Sequence, residues 1–391
     1  MKKTLIAIAA LAATGAFAQS TVTIDGVVDA GYVSYNYKGV GVTGIDRNLT
    51  STSQINFRVS SDLGGGLKAT WRSETDFVPT SNAANTGAVG NVASTAAAGG
   101  GAGTTNGVAA SFMNGEQVLA LTGGFGKVAF GAINNNSLTA HGVSQPFGTA
   151  IGSGFRATSG SFASPDVRAD NSFQYVTPTL GGGFTVGAIV RKQQAVTGTN
   201  SAFSSTTLGA QAQAGVTEMT FAYNAGPLNA LLVRATQDAS NMATVTAGTG
   251  AVAIPTTAGK GTFTALAANY NMGATTVYGG YQLNKAAPFG AANVLDRQTV
   301  TVAAQYVAGV HTMMGSYQRA SNNLTITAPA TTSGSSLIGL GYEYALSKTA
   351  ALTARYERIG DGANLVAITP FTAQNGATDR TRMGVGLRVG F

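Results

Sequence analysis

At Met383, Val385, Leu387, Val389 and Phe391 the chain places an apolar side chain on every second residue, with Gly384, Gly386, Arg388 and Gly390 between them. A period of two marks a β-strand with one greasy face. The rhythm recurs throughout. Phe184, Val186, Ala188 and Val190 alternate with Thr185, Gly187 and Arg191, and Met219, Phe221 and Tyr223 alternate with Glu218, Thr220 and Asn224. Val300, Val302, Ala304 and Tyr306 alternate with Thr301, Ala303 and Gln305, as do Ile338, Leu340, Tyr342 and Tyr344 with Gly339, Gly341 and Glu343. Roughly sixteen such runs fit the chain, the first at 20–38 and the last at 378–391.

The connections alternate as well. Seven are short and carry the Gly, Asn and Pro of tight turns, as in Asp62–Gly66, Gly123–Gly126, Asn224–Pro227 and Asn271–Gly273. Eight are long, at about 39–51, 79–111, 134–167, 194–207, 239–259, 286–293, 322–332 and 361–377. This arithmetic predicts an all-β fold, a sixteen-stranded antiparallel up-and-down barrel whose ends meet on the short-turn side, the closing strand pairing with the first near Val22.

Where such a chain resides follows from its start and its charge. Lys2 and Lys3 precede the apolar stretch Leu5–Ala13, and Ala16-Phe17-Ala18 is a small-x-small cleavage pattern. Residues 1–18 therefore read as a secretory signal peptide and 19–391 as the mature barrel domain. The sequence has no cysteine, so disulfides do not stabilise the exported fold. Charged residues are 10% of the chain, against about 25% in soluble proteins. After the leader, no stretch is apolar for long enough to cross a bilayer as a helix. A glycine-rich secreted β-protein and an outer-membrane barrel share these features. Two observations favour the membrane. The polar faces carry charges that a packed soluble core would not tolerate. Tyr223, Tyr270, Tyr306, Tyr344 and Phe391 recur beside the short turns, as an interfacial girdle requires.

Parity also assigns side chains to the lumen. Ile55, Phe57 and Val59 face outward, which turns Arg58 inward; Leu67, Ala69 and Trp71 face outward, which turns Lys68, Arg72, Glu74 and Asp76 inward. Net charge is +7, but the basic residues are scattered singly, so a nucleic-acid partner is not expected. Gly39–Gly44 matches G-x-G-x-x-G without a following helix, which argues against a dinucleotide site. His141 and His311 have no cysteine and no carboxylate at ligand spacing, so no metal, cofactor or catalytic triad is expected, and the chain does not read as an enzyme.

Five segments carry a family resemblance: Val22–Gly31, Phe57–Trp71, Leu121–Gly131, Asn171–Ala188 and the terminal Arg382–Phe391. Together they resemble trimeric Gram-negative general porins, especially the β-proteobacterial type. The resemblance implies a homotrimer of water-filled channels in the cell outer membrane, in contact with lipid and lipopolysaccharide, passing small hydrophilic solutes and ions. It implies that the second loop, 79–111, latches onto a neighbouring subunit. It implies that the third loop, about Asn134 to Val167, folds inward as an eyelet, with Arg58 at a basic eyelet position and Arg72, Arg168 and Arg156 as companions. It further implies that Phe391 is part of the signal read by the barrel-assembly machinery.

Two departures bear on selectivity. Gln145 stands in the loop-tip "QPFG" where the family commonly has an acid, and no Asp or Glu occurs from Asn134 to Pro165. Ala132 stands where an arginine is common. The expectation is weak to moderate anion preference. A solute-specific channel and a surface-anchoring barrel remain the other readings of the same pattern.

Overall fold

The computed structural model describes residues 20–37, 40–80, 113–155, 168–192, 194–195, 212–213, 215–239, 245–247, 250–252, 259–288, 295–324, 331–361 and 380–391. The expected leader, the second loop from residue 81 on and Arg156 lie outside them. The wall consists of sixteen strand positions, each antiparallel to the next. They are β1 (Thr21–Tyr37), β2 in two pieces (Val40–Arg47 and Gln54–Gly64), β3 (Leu67–Asp76), β4 (Gln117–Gly123), β5 (Gly126–Asn134), β6 (Arg168–Val176), β7 (Phe184–Arg191) and β8 (Gly215–Ala225). There follow β9 (Leu228–Ala239), β10 (Gly259–Met272), β11 (Thr275–Pro288), β12 (Leu295–Ala308), β13 (His311–Leu324), β14 (Thr331–Ala345), β15 (Ala350–Asp361) and β16 (Arg380–Gly390). β16 pairs back onto β1, so the sheet closes and leaves no edge.

Each face follows from the period of two. Val302, Leu340, Leu352 and Val385 are well exposed on the outer face, and no helix among the described residues is long and apolar enough to cross a membrane. Short turns are made by residues that tolerate left-handed backbone; Gly64, Gly65 and Gly66 take φ of 83°, 61° and 78° in succession between β2 and β3.

Two details differ from the sequence reading. Residues 39–51 were expected as one loop, yet Val40–Arg47 pairs with Ala30–Tyr37 and extends the wall. The ladder overrides the poor strand propensity of its glycines, and the break shrinks to residues 48–53. The buried Asp29 carboxylate holds that break by accepting the backbone N–H groups of Leu49 (3.1 Å), Thr50 (2.6 Å) and Ser51 (2.9 Å). The closing register also moves. Gly390 opposes Val27, and Gly26 and Phe391 exchange backbone hydrogen bonds of 3.0 and 3.1 Å, whereas parity alone suggested contact near Val22. Thr21–Val27 instead pairs with Gln54–Ser60 on the other side, a stagger that closure of a tilted sheet requires.

Candidate functional site: the polar face and the segment that crosses it

Past β5 the chain forms one short helix, α1 (Asn136–Val143), and an irregular run to Phe155. Asn135 precedes the helix in extended conformation but makes no side-chain cap. The cap comes from β8. Glu218, fully buried, accepts the N–H of Asn136 at 2.5 Å and of Ser137 at 3.2 Å, placing a carboxylate at the positive end of the helix. Ala140 and Val143 then pack on Leu231, Val233, Phe263, Ala265 and Ala267. These five belong to the face opposite the exposed Leu232 and Leu266, so β9 and β10 are apolar on both faces where α1 lies.

The run continues across successive strands. Ser144 sits over Gly280 of β11, where a Cβ would approach it to 2.6 Å. Gln145, buried, folds the tip on itself: its Nε2 donates to the Gly148 carbonyl at 2.7 Å and its Oε1 accepts the Phe147 N–H at 2.5 Å. The Phe147 ring lies 5.4 Å from the Arg355 guanidinium carbon. On β13, Ser316 and Gln318 donate to the carbonyls of Gly152 (2.9 Å) and Ser153 (2.6 Å). On β15, Glu357 accepts the N–H groups of Gly152 and Gly154, both at 3.1 Å, and forms a two-point ion pair with Arg382 of β16 at 2.8 Å on each arm. Gly339 of β14 permits this approach, since a Cβ there would stand 2.2 Å from the Gly152 carbonyl oxygen.

His141 is fully buried in this segment with its ring 5.3 Å from Phe155, and burial lowers its pKa to about 4, so it is neutral at pH 7.

On β1–β6 the same face carries the predicted charges, brought into one chain of contacts. Arg58 pairs with Asp25, and Asn56 donates to the same carboxylate at 2.9 Å. Arg72 donates to Asn56 (3.2 Å), Glu74 (2.6 Å) and Glu116. Arg168 reaches Glu74 at 2.6 Å and Asp76 at 3.4 Å. Beside this chain lies a recess of about 370 Å³ lined by Arg58, Ser60, Thr70, Arg72, Glu116 and Lys127. Lys68 shares the face but sits at the short-turn end, opposite Asp62 and Thr122.

Exposure separates these groups. The Arg58 side chain is 45% exposed, whereas Arg72 and Arg168 are 28% and 16% exposed and engaged by the acids around them. The alternation that turns Met383, Val385 and Leu387 outward turns Arg382 and Arg388 toward the lumen, where contact with water is the expectation. Arg382 is instead 1% exposed because Glu357 and the crossing segment cover it, while Arg388 stays partly open beside Glu343 at 3.1 Å. Sequence parity missed Asp25 and Glu116, although Val22 and Ile24 outward imply Asp25 inward, and Leu119 and Leu121 outward imply Glu116 inward.

Among known proteins, the family described as Gram-negative porin matches residues 4–364. A relative, outer membrane porin protein 32 of Delftia acidovorans, is 33% identical over 192 residues, which are 46% of this chain. The chain spans about half the length of that relative, 47%. Two solved structures share the fold. An anion-selective porin from Comamonas acidovorans is 23% identical, with 95% of this chain and 100% of that one covered and a TM-score of 0.68. OmpT of Vibrio cholerae in its trimer form is 14% identical, with 95% and 99% covered and a TM-score of 0.63.

Proposed function

The chain belongs to the Gram-negative porin family, and from that premise we propose that it is a water-filled channel of the outer membrane with weak to moderate anion preference. Small hydrophilic solutes and ions pass down their gradients, and the protein performs no chemistry. The segment Asn135–Phe155 is the inward-folded third loop, and the constriction lies between it and the charged wall of β1–β6, lined by Arg58, Arg72, Glu74, Asp76 and Arg168, with Arg156 as a further candidate and Lys68 on the lumen wall nearer the short turns. Assembly as a homotrimer, contact with lipopolysaccharide and recognition of Phe391 by the barrel-assembly machinery belong to the same reading.

One observation carries the anion preference: Arg58, although paired with Asp25, is the most exposed arginine of the charged wall, and the segment opposite contributes no carboxylate. A pore selects by the charge of its narrowest ring. Arg72 and Arg168 add less, because Glu74, Asp76 and Glu116 neutralise them locally. The selectivity of the Comamonas porin points the same way.

Reversal potentials across a planar bilayer in a salt gradient test this. The wild-type channel is expected to favour anions. Arg58→Gln should shift the permeability ratio toward cations by roughly twofold, the size of one screened charge near the ion path. A cation-selective wild-type channel would overturn the assignment. Conductance that saturates with one particular sugar or carboxylate would instead favour a solute-specific channel using the recess beside Arg58 and Lys127.

A further inference from the structure

Hydrogen bonds fasten the crossing segment as far as β15. On β16 and β1 a second stretch lies against the inner face. Residues 48–53 leave the β2 ladder half way up the wall, between the pairs Ala30–Arg47 and Val27–Gln54. They turn inward. Leu49 is fully buried and shares a cluster with Val33 and Tyr35 of β1 and with Ile151, which immediately precedes Gly152 of the crossing segment. Two glycines of β16 make room for it: a Cβ on Gly384 or Gly386 would stand 2.9 or 3.0 Å from Leu49 Cδ2.

The backbone of this stretch is closed without help from Leu49. Besides three N–H groups, the Asp29 carboxylate accepts the Thr50 hydroxyl. The Ser53 hydroxyl donates to the Asp29 carbonyl at 3.2 Å and accepts the Asp29 N–H at 3.0 Å. Asn48 takes φ of 61°, and its Oδ1 accepts the Ser53 N–H at 3.0 Å. The loop is thus a fixed mount, and its buried leucine packs on elements far away in the chain. Glycine inside a strand weakens it, which is tolerated where another element approaches closely. Here two such glycines sit under one side chain.

We infer that residues 48–53 are a second insert bounding the channel, and that Leu49 is a positioning residue that clasps the far end of the crossing segment, at Ile151, against β16 and β1. The inference rests on the outer-membrane channel reading and adds an element to it. The two inserts meet, so an inner layer runs from β8 round to β1, and solutes are confined to the charged wall.

The test is the reactivity of a single thiol, since the chain has no cysteine of its own. Ser153, fully buried two residues beyond Ile151, is replaced in Ser153→Cys, and Ala140, fully buried at the near end, in a separate Ala140→Cys control. Labelling by a water-soluble maleimide is scored on the folded, heat-modifiable band. In the Leu49→Ala background the Ser153→Cys thiol should react at least about tenfold faster, as loss of a buried leucine contact predicts. Leu49→Met should restore most of the protection, and Leu49→Val, a milder truncation, should fall between. The Ala140→Cys thiol should change little. A Ser153→Cys thiol equally protected with and without Leu49 would overturn the clasp. So would equal acceleration of both thiols, which would make Leu49 a support of the whole barrel. Single-channel records at pH 7 are taken in parallel, and Leu49→Ala pores should show conductance steps more often than wild type. Absent pores in the wild type would defeat the channel reading, whereas normal wild-type pores with unmoved thiol reactivity would defeat this inference alone.

Discussion

Glu357 and Arg58 are both charged, both paired and both on the inner face, yet their surroundings give them opposite roles. Glu357 is fully buried, with both oxygens engaged by Arg382 and by the N–H groups of Gly152 and Gly154. Glu357→Ala would strand the Arg382 charge and two backbone donors at once. The expected loss is about 3–5 kcal/mol, read as a lower urea midpoint for unfolding in detergent micelles. Arg58→Gln, by contrast, removes a half-exposed pair of the kind that contributes about 0–1 kcal/mol. Its urea midpoint should stay near that of the wild type while ion selectivity changes. A Glu357 variant as stable as the wild type would mean that the crossing segment is held by its apolar contacts alone.

At the scale of elements, the segment Asn135–Phe155 depends on a neutral histidine. Above pH about 6.5 His141 is uncharged whether the segment is docked or released, and docking carries no proton penalty. As pH falls toward 4 the released form takes up a proton and the docked form does not, because its pKa lies at about 4. Docking therefore weakens progressively between those values, by on the order of 3 kcal/mol at the acid end. Single-channel records at pH 7 and pH 4.5 should show more frequent conductance steps at the lower pH, and His141→Gln should flatten that dependence. An unchanged pH response in the variant would remove His141 from the process.

The loop itself was legible in the sequence as a long connection without acids, but its berth was not. Leu231, Leu232 and Val233 break the alternation, and a run apolar on both faces is the signal for something docked inside. Nor does a linear pattern disclose that Gly280 and Gly339 are small because a distant segment rests on them.

The whole barrel was legible through its rhythm, since short and long connections count strands without locating any contact. Register was not, because pairing depends on the shear of the closed sheet; hence closure falls at Gly26–Phe391 and β2 splits around Asp29. Charge pairing was half legible: strand parity groups Arg58 and Arg72 on one face, but which acids screen them depends on neighbouring strands. Closure also gives Phe391 a structural task. It exchanges two backbone hydrogen bonds with Gly26, and its ring covers that glycine so closely that a Cβ would meet it at 2.5 Å. Deleting Phe391 should lower the yield of folded barrel, seen as loss of the heat-modifiable band on a gel, while conductance of the pores that form stays near wild type. Equal yield would show that closure proceeds without it.

A ring of hydrogen-bonded staves resists stretching along each stave and yields readily to flattening. The segment that begins under Glu218 on β8 and ends under Glu357 on β15 runs inside half the circumference like a hoop, fastened at both ends and seated on the strands between. A hoop of fixed length on one half of a ring of fixed perimeter limits how elliptical the cross-section becomes. On the channel reading proposed above, fluctuations of the current are expected to follow the side chains, and little the breathing of the wall.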